Sequence, residues 1–245
     1  MHPLTTSFVA RLRNQEEAAW FELWEIFGPV IRAQLSRWGG GRVGAETVRD
    51  LTQETLTALS KSIDRYDPER GARFSTWLLS IAKHVLGDEM DRRMAQKRGA
   101  GRRPGALDES YMGQSNAVQP DEAYERQVFQ AKVYAAIRAT EREADFLQFQ
   151  VYRMRVFESL GGKDVAEQLG VSEPTVSRHL ARVRTLLRAR LFDVVSTYSF
   201  TEEERMEVRT AGMGGDDQLF DEALCETWLS QSRLVLDDEA RLGSE

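Results

Sequence analysis

Apolar residues recur at intervals of three and four along most of this chain, and that period commits it to helices. Between residues 15 and 38 they fall at Trp20, Leu23, Trp24, Phe27, Val30, Ile31, Leu35 and Trp38, one face of an α-helix. Pro29 removes a backbone donor within this segment and is expected to bend or split it. The glycines of residues 39–42 end it. Val48, Leu51, Leu59 and Ile63 predict a second helix over about residues 45–63, with Asp50, Gln53, Glu54, Thr57 and Lys61 as a polar stripe opposite. A turn follows at residues 66–71, and Ser75 suits the N-cap of a third helix. Phe74, Trp77, Leu78, Ile81, Ala82 and Val85 face inward on it, and Gly87 reads as a small residue at a tight helix crossing. Nothing reads as a strand, so the expected class is all-α.

The period stops at about Ala95. Residues 95–119 are rich in Gly, Ser, Pro and charge and read as a flexible linker, opening with Lys97, Arg98, Arg102 and Arg103. Helical spacing returns over about 120–140, 145–160, 163–169 and 173–191. Beyond residue 192 lies an acidic extension with helices expected near 202–209 and 217–235. The predicted organisation is therefore a domain over 8–94, the linker over 95–119, a domain over 120–192 and the extension over 193–245.

Residues 163–191 carry the sharpest local pattern. Val165, Ala166 and Leu169 form the apolar face of a short helix, and Gly170 permits a tight turn. Val171 plugs the space between two helices, Ser172 caps the second, and Pro174 is tolerated in its first turn. Val176, Leu180, Val183 and Leu187 then face inward, which leaves Glu173, Thr175, Ser177, Arg178, His179 and Arg182 on or near the outer face. This is a helix-turn-helix, whose second helix enters the DNA major groove by its N-terminal end. Arginine pairs bidentately with guanine, and Ser and Thr reach bases or phosphates. Arg184, Arg188 and Arg190 extend the positive face towards phosphates.

Other classes are disfavoured. A single cysteine, Cys225, leaves no intramolecular disulfide framework or cysteine-rich zinc module. His2, His84 and His179 lie far apart and form no metal-ligand pair. No phosphate-binding loop, dinucleotide fingerprint or nucleophile elbow is present, so no enzyme, cofactor or metal is expected. No apolar run approaches the ~20 residues of a membrane span, and the first residues do not read as a signal peptide. A cytoplasmic protein with no membrane insertion is the expectation.

The N-terminal half narrows the process. DLTQETLTALSKSIDRYDPERGARFSTWLLSIAKHVLGDEMDRR, residues 50–93, resembles region 2 of bacterial RNA polymerase sigma factors, and RLRNQEEAAWFELWEIFGPVIRAQLSRW resembles the start of that domain. The second half resembles region 4, with TVSRHLARVR in its recognition helix. Two such domains joined by a short linker, without region 3, resemble the extracytoplasmic-function (ECF) group. The likeness covers roughly residues 8–192.

The resemblance implies two small helical domains, a region 2 bundle and a region 4 helix-turn-helix, in a non-enzymatic subunit that binds core RNA polymerase. Asp50, Gln53, Glu54 and Thr57 match the surface that docks on the polymerase. Residues 66–73 and the following helix match the segment that captures the −10 element as melted non-template strand, where a positive surface and exposed aromatics hold unstacked bases. Tyr66, Arg70, Arg73, Lys83, His84, Arg92 and Arg93 are the candidate contacts there. Phe74 and Trp77 share the helical register of Ile81 and are assigned to the core, leaving Tyr66 as the exposed aromatic. Region 4 is expected to read double-stranded −35 DNA through Ser172, Thr175, Ser177, Arg178, His179, Arg182 and Arg184. An anti-sigma protein is implied by family habit alone. Two features depart from the pattern: His84 stands where the family often has Asn, and FLQFQVYRMRVFESLGG lacks the usual Leu-Pro and Arg-Glu pattern. The alternative reading is a stand-alone helix-turn-helix regulator that does not dock on polymerase.

Charge bears on both readings. The formal net charge is −6, against the basic balance usual for a nucleic-acid binder. The acid is concentrated, however: residues 193–245 hold 14 acidic residues against 4 basic ones, while residues 1–192 carry a net +4. The extension is expected to be regulatory, an acidic segment able to cover the basic DNA-binding faces.

Overall fold

A computed structural model describes residues 3–67, 73–97, 120–199, 206 and 216–242. The described residues contain helices and no strand. They divide into two units, one comprising residues 1–131 and 199–204, the other residues 132–198 and 205–245.

In the first unit α1 (Pro3–Arg13) packs on α2 (Glu17–Gly39), and α2, α3 (Ala45–Ser62) and α4 (Phe74–Lys97) pack on one another. Leu23, Phe27, Val30, Ile31 and Leu35 of the predicted α2 stripe are buried, whereas Trp20, Trp24 and Trp38 are half-buried at its margins. α2 runs through Pro29 without splitting. The ring lies on the exposed side, where water can satisfy the carbonyl left without its donor. Gly40, at φ 53°, closes the helix by donating its N–H to Ser36 O at 3.2 Å, a left-handed cap that suits glycine. On α3 the predicted core positions Val48, Leu51 and Leu59 are buried, and Ile63 follows in a single 3₁₀ turn.

Three expectations for this unit are corrected. α4 begins at Phe74, with Arg73 O accepting from Trp77 N, so Ser75 is not the N-cap but a buried first-turn residue. Gly87 is exposed, and a β-carbon placed there would meet nothing within 4 Å, so it does not mark a helix crossing. The boundary after the linker also moves. Residues 120–131, which open α5 (Glu122–Glu143), belong to the first unit rather than to the helix-turn-helix domain. Asp121 caps α5 by accepting from Tyr124 N at 2.8 Å and pairs with Arg37 at 2.7 Å. Buried Tyr124 donates its hydroxyl to Ser75 O at 2.9 Å.

The second unit is built on α6 (Phe146–Tyr152), a π-helical turn (Arg153–Phe157), α7 (Gly162–Leu169) and α8 (Glu173–Tyr198). Asp145 caps α6 through Leu147 N and Gln148 N. α8 continues past the predicted end at Leu191, with Val195 and Tyr198 buried, so residues 193–198 are part of the domain rather than of the extension. The extension supplies α9 (Asp217–Leu242), whose first half packs on the π-helical turn. Of the helix expected at 202–209 only Met206 is described, and it is helical; the linker basics Arg98, Arg102 and Arg103 lie outside the described residues.

Candidate nucleic-acid interface

The turn between α7 and α8 forms as its sequence demands. Gly170 adopts φ 65° and ψ 34°, and Val171 N donates to Ala166 O at 2.9 Å, closing α7 in a left-handed cap. Ser172 O accepts from Thr175 N and Val176 N at 2.8 and 3.0 Å, and its hydroxyl lies 2.9 Å from that of Thr175. Val165, Ala166, Val176, Leu180, Val183 and Leu187 are all buried, and Val171 is half-buried between the helices. That core fixes which side of α8 faces outward.

Ser172, Glu173, Ser177, Arg178 and Arg182 are exposed on that side, while Thr175 and His179 are half-buried at its edge. Arg178 is preorganised rather than loose: its Nη2 donates to Thr175 Oγ1 at 3.1 Å and its Nε to Pro174 O at 3.3 Å. The exposed pair Arg178 and Arg182 is spaced i, i+4, so both guanidinium groups leave one stripe of the helix. Such a stripe can bring forked donors to base edges.

Arg184, predicted to face DNA, does not present an open guanidinium. Its Nη2 donates to Asp221 Oδ2 at 2.6 Å, its Nε lies 3.2 and 3.1 Å from the two Asp221 oxygens, and its Nη1 donates to Asp217 Oδ2 at 3.2 Å. Asp221 also accepts from the Tyr152 hydroxyl at 2.8 Å. The Asp221 hydrogen bond holds the Arg184 pKa above its ordinary value, against a smaller opposing effect of burial. Burial pushes the Tyr152 phenol up strongly, and the Asp221 charge adds to it. Both partners come from the extension, which lay beyond the helix-turn-helix period and gave that pattern no sign of them.

In the first unit the candidate contacts fall into three groups. Lys83 is exposed on α4, and His84 is half-buried with Nε2 3.4 Å from Asp88 Oδ2. Arg92 and Arg93 both pair with buried Glu89, the latter at 2.6 Å, and Arg93 also donates to Arg42 O and Thr47 Oγ1. With Arg42 they line a cleft of about 760 Å³. Arg73 is half-buried and pairs with Glu125 at 3.1 Å. Arg70 lies outside the described residues.

Tyr66 corrects the expectation of an exposed aromatic. It is only 3% exposed, stacked on Trp77 with ring centres 4.9 Å apart and set edge-on to Phe74 at 5.2 Å. Trp77 and Phe74 are buried, as their register predicts. Tyr66 follows the 3₁₀ turn Ile63–Arg65, and that turn rotates its ring inward, outside the reach of an α-helical period. Asp50, Gln53, Glu54 and Thr57 are all exposed along α3, opposite Val48, Leu51 and Leu59.

Among the described residues the chain is all-helical and presents a helix-turn-helix with an arginine-bearing outer stripe, the class of fold that places a helix in the DNA major groove. Residues 23–96 match the family model of sigma-70 region 2, and residues 147–187 match that of sigma-70 region 4. The chain thus carries segments similar to both sigma-70 regions, and their pairing supports an ECF-group sigma factor. A search of curated proteins finds no match. The two regions support promoter-specific transcription and imply interaction with core RNA polymerase and promoter DNA. Among the described residues no helix is long and apolar enough to cross a membrane, and no group of His, Cys, Asp and Glu could hold a metal ion.

Proposed function

We propose that the chain is an ECF-type sigma subunit whose second unit reads the −35 element through Ser172, Ser177, Arg178 and Arg182, with Thr175 and His179 at the margin. The exposed, preorganised stripe of α8 opposite a complete helix-turn-helix core carries this reading. The first unit takes the melted −10 element. Lys83, Arg92 and the Arg70–Arg73 segment supply positive charge for the single strand, and His84 lines the same helix. With Tyr66 inside the core, backbone charge rather than an exposed Tyr66 ring leads that contact. The polar stripe Asp50, Gln53, Glu54 and Thr57 docks on core polymerase, since it is exposed along the face of α3 that the core leaves unused.

Run-off transcription with core polymerase on a promoter library tests this. The chain should select a discrete promoter set, and Arg178→Ala with Arg182→Ala should relax the −35 preference by about 1–3 kcal/mol per lost bidentate contact. Binding a palindromic duplex as a dimer, with no effect on core polymerase, would overturn the reading in favour of a stand-alone regulator.

A further inference from the structure

α9 lies outside both family-matched segments, yet its first half is fastened to the recognition helix side of the second unit. Phe220 and Leu224 are buried, and the Trp228 ring stacks on Phe157 with centres 4.6 Å apart and planes 3° from parallel. The 220, 224, 228 spacing makes one apolar stripe. The neighbouring stripe bears Asp217 and Asp221, four residues apart. Between residues 216 and 230 there are five acidic residues and no basic one.

Asp221 holds Arg184 by a forked contact, and Asp217 Oδ1 lies 2.9 Å from Arg188 Nη2 while its other oxygen takes Arg184. The Phe220 ring lies 4.5 Å under the Arg188 guanidinium. Along α8, positions 184 and 188 follow Ser177 by seven and eleven residues, so all three share a stripe. When the N-terminal end of α8 enters a groove, cations further along that stripe meet the phosphate backbone. A carboxylate offers a guanidinium the same two-oxygen fork as a phosphate. Arg178 and Arg182 remain exposed, Arg178 with its guanidinium held by Thr175 and Pro174 of its own helix.

We propose that Asp217 and Asp221 act as phosphate stand-ins: they occupy Arg184 and Arg188, so that α9 sets how many DNA phosphates the second unit neutralises while leaving the base-reading stripe open. This rests on α8 being the DNA-reading helix. It also gives the expected regulatory role of the extension a specific form, in which two of its aspartates take two arginines. Docking of α9 and backbone contact by these arginines exclude each other, and whatever releases α9 adds two phosphate contacts.

The experiment measures binding of the full-length chain to a short duplex of random sequence as a function of salt. Each phosphate contact contributes about −0.9 to the slope of log K against log salt, so Asp217→Asn with Asp221→Asn should steepen the slope by about 1.8. Those contacts amount to roughly ten-fold in affinity across a four-fold change of salt. Trp228→Ala, which loosens α9 with both aspartates intact, should give a gain of the same sign. Adding Arg184→Ala and Arg188→Ala to the aspartate variant should cancel the gain, while in the otherwise native chain the same two changes should leave the slope nearly unaltered. A native slope in both the aspartate and Trp228 variants overturns the proposal. So does a gain that survives loss of the arginines, since it would then be plain repulsion between α9 and DNA. Failure of the underlying reading shows differently: Arg178→Ala with Arg182→Ala would leave promoter selection intact, whatever the salt slopes.

Discussion

Both units hold arginines proposed to face DNA on carboxylates, but the carboxylates differ in origin. In the first unit Glu89 serves Arg92 and Arg93 from three and four residues away on the same helix. In the second unit Asp217 and Asp221 reach Arg184 from 33 and 37 residues away, on a helix beyond the family-matched segment. A pair spaced i, i+4 forms whenever its helix forms, because the 3.6-residue turn sets the distance. A pair between two helices forms only while they are packed. The first arrangement is therefore a fixed adjustment of charge, and the second is conditional on docking.

The strongest way to break this contrast is to remove the platform on which α9 docks. Leu187 is 1% exposed between α8 and the rest of the second unit, and Leu187→Ala should cost about 2–5 kcal/mol. Hydrogen exchange should then quicken in residues 147–198 and in 216–230 together, while α2, α3 and α4 keep their protection. Continued protection of 216–230 in the loosened domain would mean that α9 is held by something other than this surface, and the contrast would fail.

Much of this architecture was legible as periodicity. The α3 and α8 stripes and the Gly170 turn are local consequences of side-chain spacing and glycine's left-handed conformation, and they appear where expected. The errors fall where local spacing gives way to packing or to non-α geometry. Tyr66 follows a 3₁₀ turn and is claimed by Trp77 and Phe74. Ser75 and Tyr124 meet across 49 residues, which moved the domain boundary. Charge counting located the acid beyond residue 192, but which arginines it meets depends on the Trp228 and Phe220 contacts. No one-dimensional pattern encodes those. The exposed stripe Arg178 and Arg182 was legible because it lies opposite the apolar period Val176, Leu180, Val183 and Leu187 of its own helix.

The fixed side of the contrast is tested at Glu89, which is buried on α4 while both its oxygens meet arginines. Glu89→Gln keeps the shape and removes the charge, leaving two half-buried guanidinium groups with a neutral acceptor. A cost of about 1–3 kcal/mol in thermal or denaturant unfolding is expected. No release of any helix should accompany it, since Arg93 keeps Arg42 O and Thr47 Oγ1. If Glu89→Gln leaves stability unchanged and instead raises affinity for single-stranded DNA strongly, Glu89 is masking contacts as α9 does, and the two units use one device.

The smallest effect is expected from acid, and it compares one carboxylate in each unit. In the first, the Tyr124 backbone N–H and the Arg37 side chain hold Asp121 below the usual carboxylate range. In the second, the Arg188 hydrogen bond leads in holding Asp217 below it, with the Arg184 charge adding and a little burial opposing. A folded-state pKa below the unfolded value of about 3.9 means that each contributes fully above that pH and loses its contribution as pH falls through the depressed value. Through the neutral range both contacts should therefore be insensitive to pH, and α9 should loosen only in acid below about pH 4. Carbon-detected NMR titration of the two carboxyls measures this directly. Both midpoints should lie below about 3.9, and Arg188→Ala should raise that of Asp217 without moving that of Asp121. The reason is physical separation of cause: the N–H that holds Asp121 belongs to the same helix turn and persists, whereas the guanidinium that holds Asp217 belongs to α8 and is present only while α9 is docked. An Asp217 midpoint that ignores Arg188 would place α9 off the recognition helix in solution and remove the conditional half of the comparison.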